Sequence, residues 1–119
     1  MPVHAPDDEK RNARRSARDR LDEHVSDAVA WLESKQYDDA IAAFEAVLAR
    51  DSQRAQAALW LRVAHARRAY AGEDWQAAEQ HYRELLALQP GHAEARERLA
   101  QLAARSKPGL LERLLGRKN

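Results

Sequence analysis

Five histidines, His4, His24, His65, His81 and His92, are the residues of this chain best suited to chemistry. Imidazole can ligate a metal or move a proton near neutral pH. No two of them form an HExxH-type pair, and none combines with a carboxylate in a recognisable ligand pattern. His24 follows Asp22-Glu23, which reads as a solvated helix start. The paired carboxylates Asp38-Asp39 and Glu73-Asp74 also fall at expected helix starts, where the helix dipole accounts for them without catalysis. Ser16, Ser26, Ser34, Ser52 and Ser106 lie outside any nucleophile-elbow context. Glycines occur only at turns and near the C-terminus, so no loop cradles a phosphate. The expectation is a chain with no catalytic, metal or cofactor site, hence not an enzyme.

Two charged ends offer binding chemistry instead. Lys10, Arg11, Arg14, Arg15, Arg18 and Arg20 form a basic stripe at helical spacing. Such a stripe suits phosphate contact with nucleic acid or an anionic surface. It equally suits a solvated helix in which Asp7, Asp8 and Glu9 pair forward with the arginines. No aromatic interleaves the basic residues, so a base-stacking platform is missing and nucleic acid is the weaker reading. At the other end, Leu110, Leu111, Leu114 and Leu115 share one side of a short helix ringed by Lys107, Arg113, Arg117 and Lys118. Burying each leucine contributes roughly 1.5–3 kcal/mol. Three uses fit them: folding back as a cap, docking into a partner's groove, or lying in an anionic membrane surface.

The elements that must carry these groups are helices. The 119 residues suffice for one domain and are rich in Ala, Arg, Leu and Glu, with few Gly, Pro or β-branched residues. A net charge of +1 selects neither nucleic acid nor membrane as partner. Cysteine is absent, which excludes disulfides and thiolate metal sites. The charged N-terminus lacks the apolar core of a secretory signal, and no apolar run approaches the roughly 20 residues of a membrane span. A cytoplasmic location is the expectation. Breaks at Ser34-Lys35-Gln36, Asp51-Ser52, Gly72-Glu73-Asp74, Gln89-Pro90-Gly91 and Ser106-Lys107-Pro108-Gly109 predict helices near 21–34, 37–50, 53–71, 74–88, 92–105 and 109–116. A charged arm, also of helical character, precedes them near 8–20. The short connections predict antiparallel neighbours.

One pattern occurs twice. Tyr37-x-x-Ala40-x-x-x-Phe44-x-x-Val47-Leu48 returns as Trp75-x-x-Ala78-x-x-x-Tyr82-x-x-Leu85-Leu86. Each copy is one helix face with a small notch between aromatics, which lets a neighbouring helix come close. Together with Pro90 after the second copy and Trp60-x-x-Val63-Ala64 before it, the pattern resembles the tetratricopeptide repeat, a helix-turn-helix unit of about 34 residues. Trp31 with Ala28 fits the corresponding slot of the first copy in part. Ala40 and Ala78 stand further apart than that period, Ser52 replaces the first proline, and Asp27 falls near a normally aliphatic position. The surplus points to a lengthened helix or turn around 53–71.

The resemblance implies an all-α fold of antiparallel helix-turn-helix repeats, an α-solenoid of two repeats plus a closing helix over residues 21–105. The arm would occupy 1–20 and a short amphipathic helix 106–119. It assigns Tyr37, Ala40, Phe44, Trp60, Val63, Ala64, Trp75, Ala78, Tyr82 and Pro90 to the repeat framework. With Trp60 in the core slot, Leu61, His65 and Arg68 become the candidate partner-binding residues on the concave face, beside the tail leucines Leu110, Leu111, Leu114 and Leu115. Repeats that clamp a peptide carboxylate use paired Lys and Asn, but Val25 and Val29 stand here and the only asparagines are Asn12 and Asn119. The implied function is a non-catalytic adaptor or scaffold that binds a protein or peptide through shape and apolar contacts, without cofactor. Stability borrowed from the terminal segments or from self-association would compensate for a stack below the usual three repeats. A peripheral membrane scaffold held by the C-terminal helix is the alternative, and nucleic-acid binding through the arm is a weaker one.

Overall fold

The computed structural model describes residues 6–106, with side chains from Lys10 onward. Five helices and no strand make up the described residues: α1 (Pro6–Glu33), α2 (Tyr37–Arg50), α3 (Ala55–Ala71), α4 (Trp75–Leu88) and α5 (Ala93–Arg105). The expected helix at 109–116 lies outside them. No described helix is long and apolar enough to cross a membrane. The chain divides into two compact units whose boundary falls within α3, between Leu61 and Arg62.

In the first unit the arm and the first repeat helix are one element. Nothing between Pro6 and Glu33 is a Gly or a further Pro, so the hydrogen-bond ladder has no cause to stop at residue 20. Residues 10–20 are exposed on every side, and the inward stripe starts only with Leu21 and continues through Val25, Ala28 and Leu32. Against that stripe α2 places Ala40, Ile41, Phe44 and Val47, all buried. Arg54, just before α3, pairs with Asp22 of α1 and with Asp51 at 3.3 Å, closing the turn after α2.

The second unit repeats the plan. Val63, Ala64 and Ala66 of α3 are buried, as are Ala78, Tyr82 and Leu85 of α4. Ala95 and Leu102 of α5 are buried as well. The offset from Ala40 to Ala78 also relates Ala28 to Ala66, Val25 to Val63 and Leu32 to Tyr70. The register of α3 is thereby set by Ala66, and the surplus over the family period is about one helical turn. Trp60 is half-buried, as are Tyr37 and Trp75. Pro90, grouped with the framework by sequence, is exposed in the turn after α4, where it can end a helix without entering the core.

The turns repeat too. Lys35 and Glu73 adopt φ of 65° and 60°. After α1, Lys35 N–H donates to Leu32 and Gln36 N–H to Trp31; after α3, Glu73 N–H donates to Tyr70 and Asp74 N–H to Ala69. Both are Schellman terminations, with a side-chain-bearing residue in the left-handed position that glycine usually takes. Gly72 stands one residue too early to use its freedom. The next helix then starts from Asp74, whose carboxylate accepts from Ala77 N–H at 3.2 Å. Left-handed backbone costs roughly 1–2 kcal/mol with a Cβ, against about 0.5–1 for the added freedom of an unfolded glycine. Lys35→Gly and Glu73→Gly are therefore each expected to raise stability in urea melts by about 0.5 kcal/mol or more. A loss of stability in both would contradict this account of the turns.

Candidate partner-binding site

Three helices of the second unit meet at Tyr82. Its ring is fully buried, so its hydroxyl needs a partner inside the protein. It donates to Glu94 Oε2 of α5 at 3.2 Å. Arg67 of α3 grips the same carboxylate with both arms, Nε to Oε2 at 2.9 Å and Nη2 to Oε1 at 2.7 Å. Burial alone would raise the Glu94 carboxyl, but the bonds and charge of Arg67 and the Tyr82 hydroxyl outweigh it. The net position is below the usual carboxylate range. Burial, then the charge and hydrogen bond of Glu94, push the Tyr82 phenol well above its usual value.

Around this centre, arginines cover the aromatics that are only half-buried. The Arg98 guanidinium lies 4.3 Å over the Tyr70 ring and that of Arg105 lies 4.0 Å over Trp75. Tyr70 meets Trp75 edge-on at 5.2 Å and donates its hydroxyl to Gln101 Oε1 at 3.0 Å. Gln101 accepts from Arg98 as well, at 2.8 Å. The start of α5 uses His92, whose Nδ1 accepts from Ala95 N–H at 3.2 Å. That bond gives one of the five histidines a capping role that sequence reading did not assign.

Two further histidines lie between α3 and α4. His65 and His81 stack with ring centroids 5.2 Å apart and planes 19° from parallel. Arg62 Nη1 reaches His81 Nδ1 at 3.3 Å and Glu84 Oε1 at 3.0 Å. Arg68 Nη2 stands 3.4 Å from His65 Nδ1. His81 Nδ1 also stands 3.6 Å from Glu84 Oε1, so this nitrogen faces both the guanidinium and the carboxylate. Stacked rings do not converge on a common point, and among the described residues no group of three potential ligands is placed to hold a metal. What the face offers is guanidinium and imidazole groups beside the Glu84 carboxylate, all from residues partly accessible to solvent.

Of the sequence-predicted contact residues, His65 and Arg68 share this face, while Leu61 is half-buried and belongs to the first unit. Leu110, Leu111, Leu114 and Leu115 lie outside the described residues. Arg62, His81 and Glu84 complete the cluster and were missed. Arg62-x-x-His65 and His81-x-x-Glu84 are helical neighbours in sequence, but only the α3–α4 pairing brings the two pairs together.

Two pH effects follow. Glu94 binds its proton less tightly folded than unfolded, so its stabilisation is present above about pH 4.3 and is lost on acidification through the folded value. Tyr82 binds its proton more tightly folded, so its stabilisation is present below about pH 10 and is lost as the pH rises further. Tyr82→Phe should cost about 1–2 kcal/mol near neutrality and flatten the alkaline limb of a stability–pH curve. Glu94→Gln should flatten the acid limb. Unchanged limbs would remove the Tyr82–Glu94–Arg67 network as a determinant of stability.

The family model for the tetratricopeptide repeat matches residues 28–62 and 63–108, more than half of the chain. The junction between the two matches falls within one residue of the boundary between the two compact units. Neither a curated protein nor a solved structure matches the chain.

Proposed function

The chain belongs to the tetratricopeptide repeat family, and from that premise we propose that it is a non-catalytic adaptor that holds a protein or peptide segment on the α3–α4 face. The family's repeats generally mediate protein–protein interaction. One observation carries the choice of face: Arg62 and His81 meet Glu84, and His65, stacked on His81, brings Arg68 beside them, on helices otherwise rich in alanine. Donor-rich faces recognise acceptors, so the matching partner is an acidic or carbonyl-rich segment rather than an apolar one. This differs from recognition by shape and apolar contact, which the sequence alone suggested. The ready-made stacking of His65 on His81 limits the ordering that binding would require.

The test is affinity capture from the native host followed by direct titration of the purified captured protein. Arg68→Glu should weaken binding about tenfold or more, a difference of ~1.4 kcal/mol. Arg68 is exposed, so the circular dichroism spectrum should not change. Leu111→Glu should leave the affinity within about twofold. Full affinity in Arg68→Glu with loss in Leu111→Glu would move recognition to the tail and overturn the assignment.

A further inference from the structure

Residues 10–20 of α1 precede the apolar stripe that begins at Leu21, and each of them is exposed. A helix that is polar all round covers no core, so what it presents to a partner is its charge. Lys10, Arg11, Arg14, Arg15, Arg18 and Arg20 are cationic, and Asp19 is the one acidic residue among them. At roughly 100° of turn per residue, these cations spread over about 220° of the circumference, with only Ala13 and Ala17 between them. Asn12, Ser16 and Asp19 share the remaining side. The next carboxylate along the helix, Asp22, is engaged by Arg54.

We propose that this arm docks on duplex DNA, the helix lying in the major groove with its cations on the phosphates of both rims. Shape is the first reason. The B-form major groove is about 12 Å wide and admits one helix, which is about 10–12 Å across with its side chains. Cations over more than half the circumference suit a groove with phosphates on either side, whereas a flat anionic surface would meet only part of the arc. Composition is the second. Between Lys10 and Arg20 there is no leucine, aromatic or other large apolar residue, and an interfacial membrane helix needs such residues to insert. Arginine outnumbers lysine there, and its planar fork matches phosphate oxygens two at a time. The absence of aromatics counts against single strands but not against a duplex, whose bases stay stacked. The arm belongs to the first compact unit and the α3–α4 cluster to the second, so this inference does not rest on the adaptor reading.

The test is fluorescence anisotropy of a labelled mixed-sequence DNA duplex, about two helical turns long, titrated with full-length protein. At about 50 mM salt the Kd should be about 10 μM or tighter, weakening about 100-fold or more by about 200 mM. Arg14→Gln and Arg18→Gln should each weaken binding and reduce the salt slope by about 1. Both positions are exposed, so the circular dichroism spectrum should hold. Arg83→Gln, at an exposed position of α4, should change neither affinity nor slope. Duplex RNA of the same sequence, whose major groove is too narrow for a helix, should bind about tenfold or more weakly. No binding to DNA, a salt slope unmoved by both arm variants, or equal binding of duplex RNA or polyglutamate would overturn the proposal. Pelleting with phosphatidylserine-rich vesicles that Arg14→Gln weakens and excess DNA fails to reverse would place the arm on lipid instead.

Discussion

Two helices can bury a whole aromatic ring between them only where a small residue lets their backbones approach, and both units are built around that requirement. Ala40 and Ala78 have no exposed surface, and Phe44 and Tyr82, one turn further on, are fully enclosed. A larger side chain at either alanine would hold the helices apart and leave the ring beside a gap, with no atoms close enough to attract it on that side. The left-handed turns at Lys35 and Glu73 serve the same end. Each reverses the chain within three residues, so the notch arrives beside the helix it must approach.

The two copies then diverge through one oxygen atom. Phe44 asks nothing further of its surroundings, whereas Tyr82 carries a hydroxyl into the same buried place. An unpaired hydroxyl there would cost about 1–3 kcal/mol. Glu94 on α5 supplies the acceptor, and a half-buried carboxylate in turn needs a cation, which Arg67 provides through two bonds. A chain of such requirements ties α3, α4 and α5 together with directional bonds, in addition to the apolar contact that both units use. The pairs of Arg98 with Tyr70 and Arg105 with Trp75 extend the same logic outward, because a guanidinium plane covers an aromatic face without leaving its own charge dry.

Much of the scaffold was legible in the residues, because helix periodicity and the aromatic notch are local patterns. Helix ends from α2 to α5 were readable within a residue or two from Asp, Gly and Pro. The continuity of α1 was less so: a change from charged to apolar composition at Leu21 suggested a boundary that the backbone does not have. Composition changes which face is covered, but it does not break a hydrogen-bond ladder. The register of α3 was ambiguous because Ala57, Ala64 and Ala66 are all buried small residues, and Trp60 drew the pattern two positions off. The α3–α4 cluster and the Arg67–Glu94 pair were not legible, since each joins residues far apart in sequence by side-chain contact alone.

A framework that buries its own aromatics leaves recognition to what it does not use. On α3 the inward positions are occupied by Val63, Ala64 and Ala66, and Arg67 is committed to Glu94. His65 and Arg68 are the flanking positions, and α4 answers them with His81 and Glu84. The face is consequently polar for a structural reason: apolar residues there would have competed with the true core for burial and blurred the register already made uncertain by repeated alanine. Polarity at these positions protects the fold first. It also gives the repeat a surface whose donors are preordered by the same helix pairing that the buried tyrosine enforces. The buried network and the surface cluster thus share one helix pair, since Tyr82 and His81 stand on α4 as Arg67 and His65 stand on α3.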